Sequence, residues 1–331
     1  MTITASSNAF TPQTLPGTDL SLPPITVGAM MFGKRTEQAE AQRIVDTALD
    51  RGLHFFDTAN MYNDGESERV LGRALAGRRD RTVVATKVGN WKRGTDAREG
   101  LSPDVIRKAI DESLERLGME VVDIYYLHQP DYNTPVVDSL AAMVELVKAG
   151  KVRHVGISNY GGWQSLEILD LCDAHGWPRP VITQMIYNPL VRQLEYEYAR
   201  FTQAHDLYLT VYNPLAGGLL TGKYASLQDD DSGWRSRNQT TYRDRYWSPR
   251  MFHGMMALNR IAESAHVSLT HLTLQYIARR PFVDNILLGP STADQFNDGL
   301  AAFDTDIPDT VFAEVDTALT EFEGTDATYA R

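Results

Sequence analysis

The hydrophobic positions of the chain form eight short runs that are rich in β-branched and aromatic residues. The runs are ITVGAM near residue 25, HFFDTA at 54, TVVATKV at 82, VVDIYYLH at 121, VRHVGIS at 152, VITQMIY at 181, LYLTVYN at 207 and NILLG at 285. Their near-continuous hydrophobicity is typical of strands that are buried on both faces, as in a parallel sheet. The pattern therefore predicts eight buried strands.

The segments between these strands have helical periodicity and readable ends. SPDVIRKAIDESLERLG at 102–118 and TPVVDSLAAMVELVKAG at 134–150 each offer a capping hydroxyl, a proline at the first helical position and a closing glycine. Because strand and helix alternate along the whole chain, we predict an α/β fold, a closed (β/α)₈ TIM barrel that forms one domain over residues 1–331. A doubly wound open sheet is the weaker alternative.

Two segments lie outside this alternation. Residues 10–24 contain a turn composition, PGTD, and predict a small hairpin or cap ahead of the first barrel strand. Residues 225–250 form a long polar insertion after the seventh barrel strand, with several aromatic residues and arginines. We interpret the insertion as an ordered lid or ligand loop, with a solvated surface loop as the alternative.

Composition limits the classes of partner. The chain has 331 residues and a formal net charge of -11, which argues against a general nucleic-acid or anionic-membrane surface. The chain has no apolar run near the roughly 20 residues that span a bilayer, and its start lacks the order of a signal peptide, so we expect a cytoplasmic protein. Cys172 is the single cysteine, which excludes an internal disulfide, and the histidines are too scattered to predict a metal site. A homo-oligomer is possible.

Polar residues follow the predicted strands at their C-terminal ends, which in a barrel open onto one face. These residues are Asp57, Lys87, His128, Ser158, Asn159, Gln184, Tyr212, Asn213 and, two residues after Gly289, Ser291. Any one of them alone is more typical of a structural hydrogen bond, but their coincidence at one rim indicates a ligand site.

Four residues of this rim form a chemically coherent set. A tyrosine normally titrates near pH 10, and a cation held close to it stabilises the phenolate and lowers its pKa. Asp57 can hold Lys87 charged, Tyr62 on the following loop can then donate or accept a proton, and His128 can donate a hydrogen bond to the same reacting oxygen. The alternative for Tyr62 is a surface aromatic that packs on the next helix.

Several of these segments together resemble the aldo-keto reductase superfamily. They are FFDTANMYNDGESERVLGRAL, ATKVG, VDIYYLHQPD, KVRHVGISNY, QMIYNPL, YNPLAGGLLTGKY and LLGPSTADQF, which occur in the family's order. The details are most similar to the branch that contains potassium-channel β subunits and related bacterial reductases. The resemblance implies an NAD(P)H-dependent carbonyl reductase on a TIM barrel, with Asp57, Tyr62, Lys87 and His128 as its catalytic tetrad.

The resemblance also implies a cofactor site for NADPH, with NADH possible. It implies that Ser158, Asn159 and Gln184 contact the nicotinamide amide, that Tyr212 stacks on the ring, and that the stretch from Asn213 to Lys223 contacts the pyrophosphate. The full set of implied cofactor contacts is Gly28, Met30, Asp57, Ser158, Asn159, Gln184, Tyr212, Asn213, Pro214, Leu215, Gly217, Lys223, Arg235, Arg237, Gly289, Ser291, Gln295 and Asp298. Two departures are that Asn213 replaces a serine of the family and Gly299 an asparagine that contacts adenine, which leaves Gln295 and Asp298 for that contact.

The substrate is expected to be a small carbonyl compound bound at the mouth of the barrel. The residues expected to border it are Met31, Phe32, Tyr62, Trp91, His128 and Gln129. Two other functions stay open from the sequence. One is a cofactor-binding regulatory subunit that turns over slowly or not at all, and the other is a Schiff-base aldolase that uses Lys87.

Overall fold

Eight parallel strands close into a barrel in this computed structural model, which describes residues 10–91, 97–224, 226–227 and 240–323. The strands follow one another around the barrel in chain order, and the last pairs with the first. They are β3 Ile25–Gly28, β4 Phe55–Asp57, β5 Val83–Val88, β6 Val122–Leu127, β7 Val152–Ser158, β8 Ile182–Ile186, β9 Tyr208–Tyr212 and β10 Asn285–Leu288. The predicted (β/α)₈ barrel is confirmed.

Helices surround the barrel and cover its strands. In the described residues they are α1 Gln38–Asp50, α2 Glu66–Ala74, α3 Pro103–Leu117, α4 Val136–Lys148, α5 Gly162–His175, α6 Tyr198–Ala204, α7 Thr240–Tyr246, α8 Pro249–Ser264, α9 Leu269–Ala278, α10 Ala293–Ala301 and α11 Asp309–Glu323. Short 3-10 turns lie at Tyr62–Gly65, Arg79–Arg81, Gln193–Glu195, Ala216–Thr221 and Ala302–Asp304. In the described part of the chain, none of these helices is long and apolar enough to cross a membrane.

The N-terminal hairpin closes the end of the barrel at which the strands begin. Its strands, β1 Gln13–Thr14 and β2 Ser21–Leu22, pair antiparallel, as predicted for residues 10–24. An apolar layer that we call the floor fills the barrel next to the hairpin. The floor residues are Phe55, Val83, Ala85, Ile124, Tyr126, Ile182 and Tyr208, and Leu15, Leu20 and Leu22 of the hairpin pack on them.

The floor depends on one close approach of a ring to a strand. A Cβ built on Gly156 in β7 would lie 2.5 Å from a carbon of the Tyr126 ring and 3.0 Å from the Ile182 side chain. Tyr126 is fully buried, so its ring has no free space into which it can move. Glycine at this position therefore lets a large ring cross the barrel interior.

Helix α4 does not begin as its sequence predicts. The pattern placed Thr134 as the capping residue with Pro135 first in the helix, but the helix starts at Val136 and Pro135 occupies the capping position. The hydroxyl of Thr134 instead donates to Asp131 Oδ2 at 2.8 Å in the preceding loop. The prediction was wrong here because the carboxylate of Asp131, three residues earlier in the same loop, competed for the capping hydroxyl.

The described end of the 225–250 insertion packs into the fold. Tyr246 is 2% exposed, and the ring of Trp247 lies edge-on to Tyr224 and Phe252, with centroids 4.9 and 5.0 Å away. These aromatics belong to a second apolar cluster outside the barrel. In this part of the insertion, aromatic residues pack against the fold.

We expect Gly156→Ala to destabilise the protein, because the added methyl group overlaps a buried ring that cannot yield. Overpacking of this kind costs about 1–3 kcal/mol. The measurement is the free energy of unfolding from urea denaturation followed by circular dichroism.

Gly299→Ala is the matched control for this prediction. A Cβ at Gly299 would meet Leu288 and Leu274 carbons at 3.6 and 3.8 Å, which are ordinary van der Waals distances. Because Gly299 lies within α10, the change should stabilise the protein by about 0.5–1 kcal/mol. Equal effects of the two substitutions would contradict the role given to Gly156.

Candidate active site

Polar side chains form the layer of the barrel interior above the apolar floor. Residues two positions apart in a strand face the same side, so an inward-facing floor residue predicts the next inward-facing residue along the chain. Four such pairs, floor residue first, are Phe55 and Asp57, Ala85 and Lys87, Tyr126 and His128, and Ile182 and Gln184. Each polar member of these pairs is buried.

Asp57 and Lys87 form an ion pair inside the barrel. Their side chains are 2% and 0% exposed, and Lys87 Nζ donates to Asp57 Oδ1 and to the Thr58 carbonyl oxygen at 2.8 Å. Gln184 Nε2 donates to the other carboxylate oxygen, Asp57 Oδ2, at 2.9 Å. Because both oxygens of Asp57 accept hydrogen bonds, the contacts fit an ionised carboxylate.

Burial and charge act in opposite directions on this pair. Burial lowers the pKa of Lys87 and raises the pKa of Asp57, while the charge of each partner favours the ionised form of the other. The hydrogen bond from Gln184 further favours the Asp57 carboxylate. The lysine is therefore held as a cation by its partner and not by water.

Tyr62 lies against this pair and beside His128. Lys87 Nζ is 5.4 Å from the centroid of the Tyr62 ring, and the ring of His128 meets that of Tyr62 edge-on with centroids 5.9 Å apart. Tyr62 is partly exposed, whereas the lysine beneath it is fully buried. The structure thus brings together the four residues that the sequence analysis grouped.

A strained turn holds Tyr62 in place. The two residues after it, Asn63 and Asp64, have left-handed backbone conformations with φ of 52° and 55°. Asparagine and aspartate tolerate this region better than other non-glycine residues. The Asn63 side chain also donates to the carbonyl oxygens of Met30 and Phe32, at 2.9 and 2.7 Å, which fixes the turn to the end of β3.

His128 is buried and electrically neutral near pH 7. Its backbone N–H donates to the Val88 carbonyl oxygen at 2.8 Å, and its Nδ1 atom has no hydrogen-bond partner among the described residues. Burial lowers its pKa well below the ordinary 6.5, and the positive charges of Lys87 and Arg98 act in the same direction. A neutral imidazole can donate one hydrogen bond to a ligand without transferring charge.

Three polar residues at the ends of β7 and β9 form a connected network. Tyr212 Oη donates to Asn159 Oδ1 at 2.8 Å, and Asn159 Nδ2 donates to the His128 carbonyl oxygen at 2.9 Å and to Ser158 Oγ at 3.0 Å. Ser158 Oγ donates to the Gln184 carbonyl oxygen at 2.8 Å. The donor groups of this network already form hydrogen bonds. A ligand can therefore bind to it only through the acceptor lone pairs, which suit the amino group of a carboxamide.

The loop after β9 combines unusual backbone conformations with a cation. Asn213, Gly217 and Gly218 have φ values of 63°, 69° and 102°. Asn213 Oδ1 accepts from the Gly217 N–H at 2.8 Å, and Asn213 Nδ2 donates to Tyr246 Oη at 2.7 Å, so this asparagine fastens the loop at two points. A Cβ built on Gly218 would lie 3.5 Å from Lys223 Nζ, which places an ammonium group over the glycine segment.

The residues after β10 are held by one another and by residues of neighbouring elements. The Ser291 N–H donates to Gln295 Oε1 at 3.0 Å, and the Ser291 carbonyl oxygen accepts from Thr36 Oγ1 at 2.9 Å. Asp298 Oδ1 lies 3.2 Å from His271 Nε2. Gln295 and Asp298 therefore already have intramolecular partners at the positions implied for adenine contacts.

Two other implied cofactor contacts and one departure from the family pattern remain. Arg235 and Arg237 lie outside the described residues. Gly299 faces the protein interior, where its hydrogen points toward Leu288 and Leu274.

The residues expected to border the substrate separate into two groups. Trp91 is 39% exposed at the exit of β5, and Gln129 is partly exposed after β6. Met31 and Phe32 are 1% and 0% exposed, because the turn after β3 folds them into the interior. Phe32 belongs to the main apolar core.

Sequence reasoning missed two contacts of the site. One is the hydrogen bond from Gln184 to Asp57, which the two-residue repeat of inward-facing positions could have indicated. The other involves Asn60, whose backbone N–H donates to the Lys87 carbonyl oxygen at 3.1 Å and whose Nδ2 donates to both carboxylate oxygens of Glu99 at 2.8 and 3.0 Å. Glu99 lies in a polar loop with no periodic pattern, so the sequence carried no signal for it.

Comparison with known proteins finds one family over most of the chain. The family model described as Aldo/keto reductase family matches residues 24–320. The chain is 34% identical to aflatoxin B1 aldehyde reductase member 2 of Rattus norvegicus over 317 residues, which covers 90% of this chain and 84% of that protein.

Two further relatives are similar over comparable lengths. The chain is 34% identical to aldo-keto reductase family 7 member A3 of Homo sapiens over 303 residues, which covers 85% of this chain and 88% of that protein. It is 29% identical to Protein tas of Escherichia coli strain K12 over 334 residues, which covers 91% of this chain and 95% of that protein.

The buried neutral state of His128 predicts a pH dependence of stability. In the unfolded chain the imidazole takes up a proton below about pH 6.5, whereas in the folded protein its lowered pKa keeps it neutral, so acid favours unfolding. Wild type should therefore lose up to about 1.4 kcal/mol per pH unit below 6.5 through this residue. His128→Asn should lack this loss.

The measurement is the difference in unfolding free energy between wild type and His128→Asn, from urea denaturation between pH 7.5 and 5.5. The difference should shift in favour of the variant as the pH falls. His128→Gln should behave alike, because the effect depends on titration and not on the shape of the side chain. A difference that stays constant across this range would show that His128 does not titrate as inferred.

Proposed function

The chain belongs to the aldo/keto reductase family, and from that premise we propose that it reduces aldehydes or ketones to alcohols with NADPH, using Tyr62 as the proton donor. The family and the reductase names of the relatives support an oxidoreductase of carbonyl compounds. The cofactor preference and the role of each residue belong to the proposal.

One observation carries the assignment of the proton donor. A buried ammonium group, held by Asp57, lies 5.4 Å from the ring centroid of Tyr62, with the His128 ring against the same tyrosine. A cation at this place stabilises the phenolate that remains when Tyr62 releases its proton to a carbonyl oxygen. The low-dielectric surroundings strengthen the effect, because water does not screen a buried charge.

His128 is assigned to the same oxygen in a different role. Since its pKa is held well below 6.5, it is neutral at physiological pH and donates a hydrogen bond rather than a proton. This hydrogen bond orients the carbonyl toward Tyr62 and polarises it. The proton transferred in the reaction then comes from the phenol.

The residues around the barrel mouth fit a nicotinamide cofactor, which when bound supplies the hydride for the carbonyl carbon. We assign the carboxamide to the acceptor groups of Ser158, Asn159 and Gln184, and one face of the ring to Tyr212. Lys223 and the glycine segment beside it are assigned to the phosphates, where backbone N–H groups and a cation favour an anion. The proposed preference for NADPH over NADH rests on Lys223 and on Arg235 and Arg237.

The contacts of Lys87 favour this function over a Schiff-base aldolase. An imine requires a neutral amine that can reach the substrate, but Lys87 Nζ donates to Asp57 and Thr58 and is fully buried. The same contacts fit a lysine whose charge acts on a neighbouring group.

Tyr62→Phe should lower the rate of carbonyl reduction by about 10²-fold or more, because it removes the general acid while keeping the ring. The measurement is the loss of NADPH absorbance with a panel of aldehydes and ketones. Cofactor affinity, measured by titration of NADPH fluorescence, should change little. The control is Tyr196→Phe, which removes an exposed phenol on the segment before α6.

A Tyr62→Phe variant with near-normal turnover would contradict the assignment of the proton donor. Tight NADPH binding by wild type without consumption of any carbonyl compound would instead favour the cofactor-binding regulatory subunit.

Lys87→Met should lose turnover by a similar factor and also destabilise the protein. It leaves the Asp57 carboxylate buried without its cation, and breaking a buried ion pair costs about 3–5 kcal/mol. The double variant Lys87→Met with Asp57→Asn removes both charges and should regain most of that stability, but not the turnover.

Stability is measured by urea denaturation, and turnover by NADPH consumption. The double variant separates the two roles of the lysine, because only the electrostatic effect on Tyr62 stays absent when the fold is restored. Recovery of turnover in the double variant would show that Lys87 acts only through stability.

A further inference from the structure

Lys87, Tyr126 and Gly156 are neighbours in one row across three strands of the barrel. The Cα partner of Lys87 in β5 is Tyr126 in β6, and the Cα partner of Tyr126 in β7 is Gly156. Residues that pair across strands point to the same side of a sheet, so all three face the barrel interior. The row therefore places a large ring directly beside the buried lysine. No step of the proposed reaction so far uses this ring.

The ring of Tyr126 has a fixed position in this row. It is fully buried, and a Cβ built on Gly156 would lie 2.5 and 2.6 Å from two of its carbons, so the ring lies against the bare backbone of β7. The hydroxyl of Tyr126 has no hydrogen-bond partner among the described residues. Within that part of the chain, Tyr126 therefore acts on its neighbours through its ring.

The ammonium group of Lys87 lies over the faces of two aromatic rings. Its Nζ atom is 5.6 Å from the centroid of the Tyr126 ring and 5.4 Å from that of the Tyr62 ring. Both distances are within the range of about 6 Å in which the electron-rich face of a ring attracts a cation. These contacts add to the hydrogen bonds that Lys87 donates to Asp57 and to the Thr58 carbonyl oxygen.

The two rings differ in their chemistry. Tyr62 is partly exposed and is the proposed proton donor, so its charge changes during the reaction. Burial raises the pKa of Tyr126 well above the ordinary 10, and the negative charge of Asp57 acts in the same direction. Tyr126 therefore stays a neutral phenol, and its ring gives Lys87 a contact that remains the same throughout the reaction.

Lys87 needs such contacts because burial opposes its charge. Burial lowers the pKa of Lys87, whereas the charge of Asp57 and, to a smaller extent, that of Glu68 raise it. The titratable groups that face Lys87 are Asp57 on β4, Tyr62 on the following turn, Glu68 on α2, Tyr126 on β6 and His128 directly after β6. The ring of Tyr126 acts on the same side of this balance as the two carboxylates.

We propose that Tyr126 is a positioning residue of the reductase, and that the face of its ring holds the Lys87 ammonium group charged and in place beside Tyr62. The attraction between a cation and a ring is strongest where water is absent, as it is at this fully buried lysine. The charge held in this way stabilises the Tyr62 phenolate that remains after proton transfer. The inference rests on the proposed reductase function.

The test changes the charge distribution of the ring and keeps its shape. Tyr126→Phe is the reference, and phenylalanines with one, two and three fluorine atoms on the ring are then incorporated at the same position by stop-codon suppression. Fluorine withdraws electrons, so each addition weakens the negative face of the ring while adding little volume. The single-turnover rate of carbonyl reduction with NADPH should fall stepwise, by about tenfold at the trifluorinated ring. The KM for the carbonyl compound should stay within about twofold of the reference, because the proposal gives the ring no contact with the substrate.

A second readout needs no turnover. The pH at which Lys87 loses its charge is followed by the ¹³C NMR signal of its Cε, which is identified by its loss in Lys87→Met. The midpoint should fall by about one pH unit from the reference to the trifluorinated ring, because a weaker ring face favours the neutral amine. Tyr126→Phe should keep the midpoint of the wild type, since it retains an unsubstituted ring.

Tyr125 provides the matched control. It precedes Tyr126 on the same strand and is also fully buried, but it faces the opposite side of the sheet, where it belongs to the main apolar core. The same fluorinated series at Tyr125 should leave the reduction rate and the Lys87 midpoint unchanged. Urea denaturation of every variant shows that each is folded under the conditions of the assay.

The outcomes separate this inference from the proposed function. Equal reduction rates and equal Lys87 midpoints along the Tyr126 series would overturn the inference and leave the reductase function standing, as would equal effects of the two series. Failure of the wild type to reduce any aldehyde or ketone, together with a midpoint that falls along the Tyr126 series, would overturn the reductase function and support the role of the ring in holding the charge.

Discussion

The ion pair between Lys87 and Asp57 is the interaction on which the arrangement of the barrel mouth depends. Removing two charges from water costs several kcal/mol for each ion, and their attraction offsets this only when further hydrogen bonds satisfy both groups. Here the Thr58 carbonyl oxygen accepts from Lys87, and Gln184 donates to Asp57. These partners come from β8 and from the exit of β4, so the charged pair has its full set of contacts only in the closed barrel. The fold and the charge beneath Tyr62 are therefore coupled.

The two-residue repeat of the strands explains how much of this could be predicted from sequence. Apolar runs that end in a polar residue indicated both the barrel and the rim, because inward-facing positions recur at every second residue. The same repeat places Asp57 above Phe55 and Lys87 above Ala85. Contacts made by irregular segments were not predictable in this way. Glu99 meets Asn60 through a loop without periodicity, and Phe32 turns inward although it follows a strand, since tertiary packing decides both.

Asparagines occupy three sharp turns of the chain at the barrel mouth, after strands β4, β7 and β9. Asn63, Asn159 and Asn213 all have left-handed backbone conformations, with φ of 52°, 64° and 63°. Such conformations are costly for most residues and persist only where the surroundings fix them. Each of these side chains makes at least two hydrogen bonds, to neighbouring strand ends, within its own loop or, for Asn213, to Tyr246 of α7. The conformations place Tyr62, the β7–β9 network and the glycine segment at one rim.

The charged groups near the barrel mouth differ in their burial and in the elements that carry them. The charges of Lys87 and Asp57 are buried, paired and built on strands. Arg98 differs in every respect, since it is exposed, stacked on a single ring and carried by a loop. In barrels of this kind the loops at the C-terminal face vary while the strand ends keep the reaction. Glu99 beside Arg98 is hydrogen-bonded to Asn60, whose backbone N–H donates to the Lys87 carbonyl oxygen, so the loop that carries Arg98 is joined to the strand that carries the buried lysine.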